Sequence, residues 1–161
     1  MPITEMPALL ARASEDAPTI ELMNIRIRVL AAADETNGAF SLLEYTAPPR
    51  FAGPPPHCHA LTTEWFYVLD GVLVVEQDGA QQALGAGSLL VVPPGVPHSF
   101  SNPADEPCRF LLHVSPGGMD EYFRELAEMI RDTPSWALAD PACIAELGAR
   151  FDSHPHPAPG R

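Results

Sequence analysis

The chain has 161 residues, of which 46% are hydrophobic and 19% charged, enough for one globular domain with its own core. Nine arginines, no lysine and 21 acidic residues give a net charge of −12, which disfavours nucleic acid or an anionic membrane surface as a partner. No apolar run is long enough for a transmembrane helix and the start of the chain lacks a secretory pattern; three cysteines without repeated spacing exclude a disulfide framework, so a reducing cytoplasm is the expected compartment.

Residues 1–19 read as an N-terminal arm. Ile20 to Ala31 reads as one strand, with Ile25, Ile27 and Val29 on one face and Asn24, Arg26 and Arg28 on the other. Asn37-Gly38 marks a turn, with Ala39 to Thr46 as the return strand. Ten of the 19 prolines then fall between Pro48 and Pro107, among the strongest strand signals. Proline cannot donate to a sheet ladder, so it punctuates short strands at their ends. Thr63 to Leu69 and Val72 to Gln77 are predicted as a hairpin around Asp70-Gly71. Asp78-Gly79 turns into a short strand at Gln81 to Leu84. Ser88 to Val92 stops at Pro93-Pro94-Gly95, and His98 to Ser101 and Cys108 to Ser115 follow. This pattern predicts an all-β barrel or sandwich over 20–115. Beyond it, Met119, Tyr122, Phe123, Leu126 and Ile130 recur at helical spacing. Asp140-Pro141 is an N-cap and first-turn pair for a second helix, so 116–151 reads as a helical extension, either packed on the barrel or serving as its lid. Residues 152–161, with three prolines, are expected to be a disordered tail that takes no part in metal capture despite His154 and His156.

Chemistry concentrates in His57-Cys58-His59, with Glu64 five residues on. Alternate residues of a strand share a face, so His57 and His59 converge while Cys58 points away as a plain apolar side chain. Glu64 shares parity with Phe66 and Val68, the apolar inward face. His98 follows the Pro93-Pro94-Gly95 corner into the next strand. Three imidazoles and a carboxylate suit one borderline divalent transition metal per chain: Fe, Mn, Ni, Cu, Co or Zn. Asn102 suits a turn.

The two stretches resemble the paired signature motifs of the cupin superfamily. His57, His59, Glu64 and Gly71 match the first; Gly87, Pro93, Gly95, His98 and Asn102 match the second. One departure is visible: Phe51 stands where the family pattern has a glycine, and Gly53 lies two residues later. More loosely the chain is similar to small single-domain cupins of the quercetin-dioxygenase-like kind. The resemblance implies a double-stranded β-helix, or jelly-roll barrel, with a short helical C-terminal extension. It also implies a metal inside the barrel on His57, His59, Glu64 and His98.

Four protein ligands leave coordination positions open, as catalysis requires. Glu64 could also accept a substrate proton. Phe40, Phe51, Phe66, Val68, Phe100 and His113 are the expected substrate pocket, apolar enough for a small aromatic or dicarbonyl compound. Arg50 and Arg109 are candidate anion contacts. The leading expectation is a dioxygenase-like oxidoreductase on a small oxygenated molecule. A non-catalytic ligand-binding or sensor cupin, and a decarboxylase, isomerase or lyase, remain open. Trp65, Tyr67 and Leu69 fall on the outward face of their strand and need cover. The N-terminal arm, the C-terminal helices or a second subunit could supply it; with the dimers common among cupins, a homodimer is the expectation.

Overall fold

The structure, a computed structural model, describes residues 10–132 and 141–156. The Asp140 cap, the first nine residues of the arm and residues 157–161 of the tail lie outside the described residues.

Among the described residues eleven strands form: β1 (Thr19–Leu22), β2 (Ile25–Ala31), β3 (Ser41–Ala47), β4 (His57–Cys58), β5 (Thr63–Asp70), β6 (Val72–Gln77), β7 (Ala80–Gly85), β8 (Leu89–Val92), β9 (Ser99–Ser101), β10 (Cys108–Ser115) and β11 (His154–Pro155). Two helices, α1 (Met119–Asp132) and α2 (Pro141–Arg150), separate the last two strands. A six-stranded sheet runs β1-β2-β3-β10-β5-β8 and a three-stranded sheet runs β7-β6-β9. Every strand pairing is antiparallel, and the protein is a double-stranded β-helix. Inward-facing residues of both sheets bury Val29, Leu43, Phe66, Val68, Leu73, Phe100, Phe110 and Leu112 in one core. Tyr45 sits among the rings, stacked on Phe110 at 4.9 Å and edge-on to Phe100 at 5.8 Å.

Two strand expectations change. Ile20 to Ala31 is a hairpin of β1 and β2, not one strand; Met23 takes a φ of 58°, and Leu22 pairs with Ile25 across the turn. β5 and β6 are not a hairpin either: β5 pairs with β10 and β8, while β6 pairs with β7 and β9. Gly71 is a corner between sheets, and a Cβ there would lie 2.7 Å from the Pro107 carbonyl oxygen. A local turn signal does not distinguish a hairpin from a corner.

α1 buries Met119, Phe123 and Leu126 and packs on β1 and β3. Its Asp120 is buried, accepting from Ser41 Oγ at 2.6 Å and from the Ala33 amide at 3.2 Å. The tail is also more structured than its prolines suggest. Residues 152–156 return to the barrel, where β11 pairs with β4 and the His156 amide donates to Pro56 O at 2.9 Å. Proline at a strand position loses no bond on an edge, which β11 is.

Candidate metal centre

His57 lies in the two-residue β4, and its backbone exchanges hydrogen bonds of 3.0 and 2.9 Å with that of His98. This bridge sets the two imidazoles side by side, with ring centroids 4.5 Å apart. The Pro93-Pro94-Gly95 corner delivers His98. Gly95 has a φ of 80° and donates its amide to His59 O at 2.6 Å, so the corner is tied to a second ligand. Glu64 projects inward from β5, buried with His59 and His98. The four ligand atoms of His57, His59, Glu64 and His98 lie within 4.8 Å of one another. Ligands around one transition ion stand no more than about 4.4 Å apart, so a contraction of a few tenths of an ångström closes the set.

The hydrogen bonds decide which nitrogens face inward. Nδ1 of His57 bonds to Pro55 O at 3.0 Å, Nδ1 of His59 to Asp152 O at 2.8 Å, and Nδ1 of His98 to Val96 O at 3.1 Å. A carbonyl only accepts, so each Nδ1 carries the proton and each Nε2 presents a lone pair. Those lone pairs meet a carboxylate: Glu64 Oε2 is 2.9 Å from His98 Nε2 and 3.2 Å from His59 Nε2. His59 Nε2 is buried without a hydrogen-bond partner, since the geometry toward Glu64 fails despite the short distance. Acceptors facing acceptors require a positive charge between them, a shared proton or a metal ion. The orphaned nitrogen and the three-imidazole, one-carboxylate donor set fit a divalent transition metal.

The charges agree. Burial alone would raise the Glu64 carboxyl, but the adjoining imidazoles of His59 and His98 hold it well below the usual carboxylate range. Burial would lower His59, and Glu64 beside it raises it instead. Burial, then the neighbouring His98, pushes His57 down to about 4, so at neutral pH it is a neutral ligand.

Of the expected pocket, Phe66, Val68 and Phe100 are buried in the barrel and Phe51 packs against them. Phe66 lies edge-on to His98 at 6.4 Å. Phe40 and His113 are not in the pocket. His113 has the parity of Arg109 and Leu111, opposite to Phe110 and Leu112, and stacks on the outside between Phe40 at 5.0 Å and Trp65 at 4.5 Å. Arg50 and Arg109 are not near the ligands either: Arg50 pairs with Asp105 and Arg109 with Glu44. Asn102 serves the turn, donating to Pro48 O and Glu106 O and accepting from the Ala104 amide. A small cavity of about 10 Å³, room for one water, borders His98, Glu76, Asp78 and His156.

Sequence reasoning missed Asp152. Its carboxylate accepts from the amides of Ala60, Leu61 and Thr62 and from Thr62 Oγ1, all at 2.8–2.9 Å, in the loop between His59 and Glu64. Despite the opposing effect of burial, these donors hold its carboxyl down at about 2. The contact spans some ninety residues, and no local pattern announces it.

A double-stranded β-helix holding three imidazoles and a carboxylate at its centre is the architecture of a metal-binding cupin. Residues 43–114 match the cupin domain family, and this part of the chain is a cupin domain. It is 38% identical over 60 residues to polyketide synthase CurC of Streptomyces cyaneus, an alignment covering 37% of this chain and 39% of that protein. The chain thus spans about two fifths of that relative. The polyketide cyclase RemF from Streptomyces resistomycificus superposes with a TM-score of 0.59 at 24% identity, over 67% of this chain and 80% of that one. KdgF from Halomonas sp. superposes with a TM-score of 0.58 at 19% identity, over 68% and 96%. At these identities the two structures speak for the fold.

Proposed function

We propose that the chain is a metal-dependent cupin enzyme acting on a small polycarbonyl or phenolic compound of the polyketide type, by redox-neutral enolisation and rearrangement. The observation that carries this is the anchoring of all three imidazoles through Nδ1, which leaves three Nε2 lone pairs and Glu64 converging in a buried, apolar barrel. A divalent ion held by His57, His59, Glu64 and His98 would supply Lewis acidity, polarising a substrate carbonyl and lowering the pKa of its enol. Three neutral imidazoles and one carboxylate leave such an ion a net charge of +1, suited to an enolate or phenolate. Phe66, Phe100 and Phe51 offer flat apolar walls to an aromatic or conjugated substrate. Glu64 would accept the proton lost on enolisation. The polyketide context of CurC supports the substrate class.

The dioxygenase-like chemistry suggested by the sequence would use the same ligands but needs oxygen, and no feature of the site favours it over enolisation. The test is anaerobic deuterium exchange at the central carbon of an aromatic 1,3-diketone, followed with Mn-, Ni-, Fe- or Zn-loaded protein. Exchange above the buffer rate, abolished by chelation and by Glu64→Gln, is expected. Oxygen uptake without anaerobic exchange would replace this reading with the dioxygenase; stoichiometric retention without either would leave a ligand-binding cupin. The outer face of β5 and β8, which no described residue covers, supports a homodimer, and the three free thiols suit a cytoplasmic setting.

A further inference from the structure

We infer that Asp152 is a positioning residue of the metal centre, and that through it the C-terminal segment sets the orientation of His59. The inference rests on the metal reading of the site. Three observations converge on it.

First, the main-chain oxygen of Asp152 is the acceptor that fixes His59 Nδ1–H, at 2.8 Å. The equivalent anchors of His57 and His98 come from residues two positions earlier in the chain, Pro55 and Val96. Those anchors form wherever the local loop forms. His59 alone depends on a carbonyl from a distant part of the chain, and its Nε2 is the orphaned one.

Second, that carbonyl is held by its own side chain. The Asp152 carboxylate takes four hydrogen bonds from residues 60–62, the segment that leads from His59 toward Glu64. Four donors on one carboxylate make a fixed joint, stronger than neutral pairs because the acceptor is ionised. One residue thus grips both the ring of His59 and the loop behind it.

Third, the backbone at Asp152 is shaped for the task. Asp152 has a φ of 58°, a left-handed conformation that Asp and Asn tolerate better than most residues. The turn starts at Gly148, whose carbonyl accepts from the amides of Phe151 and Ser153; a Cβ on Gly148 would lie 2.8 Å from Ser153 O. On the far side, β11 seals against β4. The turn is pinned at both ends, and Asp152 is its inward point.

Without the joint, His59 loses the acceptor that selects its tautomer, and Nε2 ceases to be uniformly the free nitrogen. Outer contacts of this kind are typically worth 10–100-fold in metal affinity.

The test uses Co²⁺ as the probe on the full chain, with Asp152→Asn and Asp152→Gly, both of which accept a left-handed φ. Thr62→Val, which removes only the Oγ1 donor, is the milder variant should either fail to fold. Expected are a 10–100-fold weaker Co²⁺ affinity in the Asp152 variants, a smaller loss in Thr62→Val, and a changed visible ligand-field spectrum. In the metal-free protein, at a pH high enough to leave His59 neutral, ring ¹⁵N shifts of His59 are expected to move from the Nδ1–H form toward a mixture, while those of His57 and His98 stay. A general loss of stability would not single out one imidazole. Wild type that binds Co²⁺ alongside folded Asp152 variants with unchanged affinity and His59 shifts would overturn the role of Asp152. A folded wild type that binds no Co²⁺ would overturn the metal reading instead.

Discussion

The pair of His59 and Glu64 couples metal uptake to protons. His59 is raised by Glu64 and Glu64 is lowered by His59 and His98, so in the metal-free protein each favours the other's charged form. Glu64 contributes stability above its ordinary 4.5 that is lost as pH falls further; His59 contributes below its ordinary 6.5 and loses that contribution as pH rises through its raised value. The metal-free fold therefore draws most from this pair between those two limits. A metal needs His59 unprotonated, so binding must expel its proton. Apparent affinity is expected to fall by about tenfold for each pH unit below the raised His59 pKa. Co²⁺ titrations in two buffers of different ionisation enthalpy would show the released proton; an affinity flat across the imidazole range would contradict the coupling. His59→Ala is expected to abolish stoichiometric metal, and to leave Glu64 buried beside one imidazole rather than two.

At the scale of elements, the corners carry the site as much as the strands do. Gly53 stands two residues after the family's glycine position, in the proline-rich corner before β4. Its φ is 79°, and a Cβ there would lie 1.6 Å from Phe100 O, inside β9. The glycine has moved but the need for one has not, because the corner crosses directly over backbone that cannot yield. Gly53→Ala is expected to cost at least about 2–3 kcal/mol, combining a left-handed alanine with overpacking. In a domain of this size that is a fall of roughly 4–12 °C in Tm; a variant melting with wild type would show that the corner can shift freely. The same contrast explains what the sequence made legible. Strand parity was readable because one face of each strand meets the core, which is why Glu64, Phe66 and Val68 were found on one face and three of the ligands by spacing alone. Phe40 was misplaced because it precedes β3, where no strand parity fixes its side, and His113 was placed in the pocket against its own parity, which is opposite to that of Phe110 and Leu112. The β5–β6 corner and Asp152 were out of reach for one reason: each is defined by a partner far along the chain.

For the whole molecule, the outer face of the large sheet is the open question that physics can answer. Across β5 and β8, Trp65 pairs with Val91 and Tyr67 with Leu89. Leu89 is 59% exposed, Val91 51% and Tyr67 38%, and the row continues into the Trp65–His113–Phe40 stack. At the other end of the sheet the arm provides cover: its Ser14 joins Arg28 of β2 over the buried Glu44, and its Arg12 reaches Glu35. Nothing among the described residues does this for β8, which is also the sheet's edge strand. An apolar edge left bare invites uncontrolled pairing, while a second copy laid on it in a fixed register removes both the edge and the patch. A chain of net charge −12 resists nonspecific association, so a dimer must be held by apolar contact rather than by opposite charge. Wild type is therefore expected to scatter light as a dimer at micromolar concentration, with little sensitivity to salt. Tyr67→Arg combined with Leu89→Arg is expected to give a folded monomer, because both side chains are already solvent-facing. The metal content of that monomer is expected to match wild type, since Glu64 and Phe66 project from the opposite face of β5. A wild type that is monomeric throughout that range would mean that the patch is left bare in solution or is covered by residues outside those described.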